Sequence, residues 1–257
     1  MPGRELRQDG SVVLVTGGVR GVGAGIARAF LDRGATVVTC ARTEPAEVPG
    51  EFVACDVREP TQVAALMKRV LDRHGRLDVL VNNAGGAPYA RAAEASARFH
   101  EKVVGLNLLA PLLVAQHANA VMQRQDTGGS IVMVSSVSAR RPSPGTAAYG
   151  AAKAGLDNLT ASLAVEWAPK VRVNALDVGM VRTERAALHY GSEAGVEAVG
   201  KTVPLGRLAE PAEVGDCAVF LASPLASYVT GATLLVHGGG EVPAFLAAAD
   251  VNQEEGS

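Results

Sequence analysis

The chain has 257 residues, 48 % of them hydrophobic and 4 % aromatic, with 24 Lys+Arg against 26 Asp+Glu and a formal charge of −2. That is apolar material for one large α/β domain and too much for a disordered chain, and the balanced charge, with no dense Lys/Arg cluster, argues against nucleic-acid binding. Cys40, Cys55 and Cys217 form no C-x-x-C pair and the five histidines show no metal-ligand spacing, so no structural metal is expected.

The opening MPGRELRQDG lacks an apolar signal segment, and a cytoplasmic location is expected. Short β-branched runs follow at 12–16, 35–40, 52–55, 77–82, 130–135, 171–176 and 233–237. Helical stretches are expected near 22–33, 60–74, 95–124, 149–168 and 211–222. The alternation predicts an α/β fold with a doubly wound parallel sheet of about seven strands and helices on both faces. No linker divides the chain, so residues 1–257 are read as a single domain. The apolar stretch 106–122 is broken by Asn107, Pro111, Gln116, His117 and Asn119 and is not expected to span a membrane. Residues 183–207 break the rhythm and read as a substrate lid. Residues 241–257 read as a tail, frayed or docked on a partner subunit.

The first run leads straight into a glycine-rich turn, Thr16-Gly-Gly-Val-Arg-Gly-Val-Gly23. Gly17, Gly21 and Gly23, with Val22 between, allow a tight turn that opens a helix N-terminus toward a pyrophosphate. A plain strand-to-helix turn is the alternative. The end of the second run, Thr39-Cys-Ala-Arg42, carries no carboxylate before Glu44. An acid there would bind a ribose 2′-OH, whereas a guanidinium binds a 2′-phosphate. Arg42, helped by Arg20, therefore favours NADP(H), with NAD(H) possible.

Tyr149 and Lys153 stand four residues apart in AYGAAKAG, on one helix face. Either this is a surface helix with a solvated lysine, or the lysine tunes the phenol. A cation ~4 Å away at an effective dielectric of ~20 contributes about 4 kcal/mol, enough to bring a phenol from about 10 toward 7. Asn107 precedes Pro111, which cannot donate to the Asn107 carbonyl and so leaves it free.

The motifs T-G-x-x-x-G-x-G, Asn82-Asn-Ala-Gly85, Ser136 at 13 positions before Tyr149, and Y-x-x-x-K stand in the order of the classical short-chain dehydrogenase/reductase family, which the chain resembles over about residues 10–240. The resemblance implies a Rossmann-type sheet and a catalytic set of Asn107, Ser136, Tyr149 and Lys153. It implies that Asn107 joins a water relay to the lysine and that Lys153 contacts the nicotinamide ribose. For the cofactor it adds Asp56 and Val57 beside the adenine, Asn83, Ala84 and Gly85 along the adenosine, and Val181 and Thr183 at the carboxamide. Asp56 could equally be a helix-leading acid. Two departures stand out: Val178-Gly179 where the family has Pro-Gly, and His237 where it commonly has Asp. His237 could pack, touch substrate or meet a subunit.

The expected reaction is the NADP(H)-dependent interconversion of a ketone and a secondary alcohol. Apolar residues of the lid suggest a hydrophobic substrate, and Arg140 with Arg141 could meet the phosphate of an acyl carrier. Ser138, His189 and Tyr190 are the candidate substrate contacts. An NAD-dependent alcohol dehydrogenase and a non-catalytic nucleotide-binding scaffold are the alternatives. A homotetramer built on the helices of Asn107 and Tyr149 is expected.

Overall fold

The structure, a computed structural model, describes residues 6–249, with the side chains of His189 and Ala247 outside the described residues. Seven strands form: β1 (Val12–Thr16), β2 (Thr36–Ala41), β3 (Glu51–Ala54), β4 (Val79–Asn82), β5 (Gly129–Ser136), β6 (Val171–Val178) and β7 (Thr233–Val236). They make one parallel sheet in the order β3-β2-β1-β4-β5-β6-β7. Every expected run is a strand, with ends displaced by at most two residues.

The helices are α1 (Gly21–Leu31), α2 (Pro60–His74), α3 (Ala97–Val104), α4 (Ala110–Met122), α5 (Ala147–Trp167), α6 (Ala186–Tyr190), α7 (Glu193–Gly200), α8 (Pro211–Ala222) and α9 (Ala244–Ala248). The sequence VVLVT of β1 is buried throughout, as a parallel strand covered on both faces must be. Val13 and Val15 pack with Ile26 and Phe30 of α1 and Val214 and Val219 of α8. Val12 and Leu14 face the opposite core, shared with Leu66 of α2, Val114 of α4 and Leu156 of α5. On the first face α1 and α8 approach closely, because a Cβ on Gly215 would come within 2.8 Å of the Gly25 carbonyl oxygen.

Between α3 and α4 the helix widens into a π turn at Gly105–Leu109. Pro111 lacks the N–H that an α-helical bond to Asn107 needs, and the Ala110 N–H bonds the carbonyl of Gly105. By length and composition alone, Ala97–Met122 could cross a membrane. Here Ala110, Val114, Ala115, Ala118 and Met122 pack into the core beneath the sheet.

The chain leaves β1 toward β2 on one side and returns to β4 on the other. A crevice therefore opens between the carboxyl ends of β1 and β4. The segment 183–207 holds α6 and α7, with Ala186, Val196 and Leu208 in a small cluster of their own beside Met180 and Tyr190. Of the expected tail, α9 is described and residues 250–257 lie outside the described residues.

Candidate active site

A cavity of about 460 Å³ fills the crevice. Gly17, Arg20, Gly21, Val22 and Gly23 line it from the turn after β1, and Arg42 from the end of β2. Asp56 and Val57 line it after β3, Asn83, Ala84 and Gly85 after β4, and Thr183 at the start of the lid. Val181 is placed differently: it packs against the α1/α8 core and pairs with Ala209 in a short parallel bridge.

The turn is built around left-handed backbone at Gly17 (φ 63°) and Gly21 (φ 51°). A Cβ on Gly23 would sit 2.2 Å from the Gly17 carbonyl oxygen. Thr16 Oγ1 accepts the N–H groups of Asn83 and Ala84, both at 3.0 Å. Asn83 Nδ2 donates back to the carbonyls of Thr16 (3.0 Å) and Gly17 (3.1 Å). The Asn83 amide thus braces the turn. Arg20, at the N-cap of α1, makes no side-chain cap bond, so the helix presents its first N–H groups to the cavity.

Arg20 and Arg42 are exposed on the cavity wall. The one acid expected beside the adenine, Asp56, is taken by Arg58, with Nη2–Oδ2 at 2.5 Å and Nε–Oδ1 at 2.9 Å. The Arg58 hydrogen bond, against the opposing effect of burial, holds the Asp56 carboxyl below its usual range. Arg58 also lines the cavity and was missed in the sequence, where the D-x-R spacing after β3 was its signal. A cradle of glycines and open helix N–H groups, with Arg20 and Arg42 in no ion pair among the described residues, fits a dinucleotide.

The four expected reacting residues come together at the carboxyl ends of β4 and β5. Asn107 is fully buried in the π turn. Its Oδ1 accepts the Gly86 N–H at 3.0 Å, and its Nδ2 donates to the carbonyls of Gly86 and Val103, each at 2.9 Å. A Cβ on Gly85 would fall 2.8 Å from Asn107 Oδ1 and 3.7 Å from Lys153 Nζ, so the three positions adjoin. Ser136 ends β5 and its Oγ accepts the Ser138 N–H at 3.2 Å.

The spacing of Tyr149 and Lys153 does place both on one face of α5, with Lys153 Nζ 5.7 Å from the phenol ring centroid. The electrostatic expectation needs correction. Burial pushes the Tyr149 phenol above its usual value; the Ser136 hydroxyl opposes this and the charge of Asp177 adds to it. The reason is geometric: Nζ stands over the ring and donates to the Val134 carbonyl at 2.7 Å. Lys153 itself is lowered to about 8 by burial, with Asp157 and Asp177 pulling the other way.

Ser138 follows Ser136 on the same turn and accepts from Ser143 Oγ at 3.2 Å. Tyr190 packs in the lid cluster, where burial raises its phenol and Arg141 opposes. The side chain of His189 lies outside the described residues. The two arginines considered for a carrier phosphate are engaged within the protein. Arg140 Nε donates to buried Asp177, and Arg141 pairs with Glu241 at 2.8 Å. Beside them a cavity of about 180 Å³ is lined by Val137, Gly179, Met180 and His237. His237 Nδ1 accepts the Gly239 N–H at 3.2 Å.

Residues 17–241 match a family model described as Enoyl-(Acyl carrier protein) reductase. The chain is 39 % identical over 249 residues to an L-fucose dehydrogenase of Oryctolagus cuniculus, covering 92 % of this chain and 87 % of that one. It is 35 % identical over 247 residues to a D-threitol dehydrogenase of Mycolicibacterium smegmatis, covering 91 % and 94 %. The ligand-free aldohexose dehydrogenase of Thermoplasma acidophilum superposes with a TM-score of 0.86 at 34 % identity, covering 92 % and 95 %.

Proposed function

The chain belongs to the short-chain dehydrogenase/reductase family of oxidoreductases acting on CH–OH groups, and we propose that it is an NADP(H)-dependent member interconverting a secondary alcohol and a ketone. The observation that carries the cofactor choice is the pair of guanidinium groups, Arg20 and Arg42, on a cavity wall whose Asp56 is already neutralised by Arg58. A 2′-phosphate finds two cations there, and β2 itself carries no carboxylate. The first N–H groups of α1 hold the pyrophosphate.

A nicotinamide held there would supply or accept the hydride. Ser136 and Tyr149 hold the reacting oxygen between their hydroxyls. Tyr149 gives a proton to that oxygen in reduction and takes one in oxidation, a role worth about 10²–10⁴ in rate. The Ser136 hydroxyl works against the burial that raises the phenol. Asn107 fixes the Gly86 segment at the mouth of the site, and its π turn leaves the backbone carbonyl opposite Pro111 available to a water. Thr183 closes the cavity beside Gly21, where a Cβ on Gly21 would meet it at 3.4 Å.

A small polyhydroxylated alcohol is the proposed substrate class, supported by the likeness to fucose, threitol and aldohexose dehydrogenases. A hydrophobic or acyl-type ketone is the second reading, favoured by Leu188, 77 % exposed on α6. Its carrier-phosphate variant loses support because Arg140 and Arg141 already have partners. A homotetramer is proposed on the α4/α5 layer, where Leu109 (56 % exposed), at the end of the π turn leading into α4, and Val165 (81 % exposed) of α5 are uncovered.

The test is oxidation of L-fucose, D-threitol and a medium-chain 2-alkanol with NADP+ and NAD+, by wild type and Arg42→Ala. The proposal expects turnover with NADP+ and a loss of about 10–100-fold in kcat/KM for NADP+ in the variant, the value of one charge-assisted hydrogen-bonded pair. Equal use of both cofactors by both proteins would refute the phosphate site. Turnover of the alkanol alone would refute the polyol reading.

A further inference from the structure

Tyr149, Lys153 and Asp157 recur at every fourth position of α5, which places them on one helical face. The reaction described above uses the first two. Asp157 lies one turn further along, over the end of β6. There Asp177 stands within the apolar run VRVNALDV and is fully buried. Its Cα pairs with Ser135 of β5, so both residues sit beneath α5. Arg140, on the turn after β5, donates to Asp177 Oδ2. The other oxygen, Asp177 Oδ1, and Asp157 Oδ1 are both buried and have no donor among the described residues. The charge of Asp177 acts on the Asp157 carboxyl.

For stability alone this arrangement is a poor one. A buried acceptor without a donor costs about 1–3 kcal/mol, more when charged, and like charges in one site oppose each other. The compensation is found at Lys153. Its side chain is buried, and its Nζ is hydrogen-bonded to the Val134 carbonyl, a neutral acceptor. An ammonium taken out of water needs negative charge nearby.

We propose that Asp157 and Asp177 are positioning residues of the oxidoreductase site: the acid pair is the counter-charge that keeps Lys153 an ammonium beneath the reacting phenol, and Arg140 holds Asp177 in place for that task. The proposal rests on the reading of Tyr149 and Lys153 as the reacting pair. The groups that face the acids are Ser135 from β5, Arg140 from the following turn, and Lys153 and Tyr149 from α5 itself. Arg141, the next cation, is taken by Glu241.

Burial first, opposed by the Ser135 hydroxyl and aided by the charge of Asp177, raises Asp157 to about 6. Near pH 8, where Lys153 titrates, Asp157 therefore carries its negative charge. The raised Asp157 also has a stability signature. Its contribution is present below the ordinary 3.8 and fades as pH rises toward about 6. An uncharged Asn at this position should then be no less stable at neutral pH.

The experiment is an NMR titration of lysine Cε in the full chain, wild type against Asp157→Asn, with Tm measured at pH 7. The expected result is a Lys153 midpoint lowered by about one unit, a tenfold loss of proton affinity, with Tm unchanged or higher. An unmoved midpoint with a lowered Tm would overturn the proposal and leave Asp157 a structural residue. Should the variant fold poorly, the carboxyl carbons of wild type and Lys153→Met decide. A wild-type Asp157 midpoint near that of an exposed aspartate, about 3.9, or one that does not rise in Lys153→Met, would equally overturn it. None of these readouts needs turnover, so they stand apart from success or failure of the alcohol and cofactor assays.

Discussion

Lys153 holds an amino group where water does not follow, and the cost is measurable. Burial moves it from its ordinary 10.5 to about 8, which corresponds to about 3 kcal/mol at ~1.4 kcal/mol per unit. The folded form releases this proton earlier than the unfolded form. Stability should therefore rise as pH increases from about 8 to 10.5, and urea denaturation across that window should lose this slope in Lys153→Met. The same variant should lose most of its turnover. Tyr149→Phe should keep its cofactor affinity and lose about 10²–10⁴ in kcat; an affinity loss of the same size would show that the phenol serves binding. The proposed reacting residues were legible because spacing carries them: Tyr149 and Lys153 at i and i+4, Ser136 before them, Asn107 before Pro111. Arg58 was missed although its partner Asp56 stands two residues away; Asp157 and Asp177 were not legible, because their meaning lies in contacts between α5 and β6. Even so, an acid inside VRVNALDV and a third polar residue at i+8 from Tyr149 were visible signals. The direction of the Tyr149 shift was misjudged because spacing fixes the face but not the desolvation.

At the scale of elements, the strand-turn-helix unit of β1 and α1 is the least forgiving. The Gly23 position has no room, with the Gly17 carbonyl 2.2 Å and Asn83 Nδ2 2.4 Å from any Cβ. Gly23→Ala must push both away and so distort the phosphate turn; a loss of at least about tenfold in NADPH affinity, 1.4 kcal/mol, is expected by calorimetry. Wild-type affinity in that variant would show that the turn is looser than its contacts imply. The capping box of α8 is a purely structural counterpart, with the Glu210 N–H donating to Glu213 Oε2 at 2.8 Å. The seven strands could be read from β-branched runs because a parallel sheet buries both faces and leaves few polar interruptions. The π turn was half legible. Pro111 announced a missing bond, but only the structure shows that the helix widens rather than breaks. The lid read as irregular, since α6 and α7 are too short to show a hydrophobic stripe over several turns.

For the whole molecule, the α4/α5 layer carries uncovered apolar side chains, and light scattering is expected to give four chains; a monomer would refute that assembly. The central claim, however, concerns what the crevice between β1 and β4 holds. The Arg20 and Arg42 guanidinium groups line it, with Glu184 and Arg185 from the lid, and its Asp56 is spent on Arg58. The most direct measurement is a titration of the purified protein with NADPH and with NADH, followed by the fluorescence of the bound nicotinamide. The account predicts saturable binding of both, with NADPH tighter by about tenfold or more, the value of one charge-assisted contact to the extra phosphate. Tighter binding of NADH, or binding of neither, would contradict it.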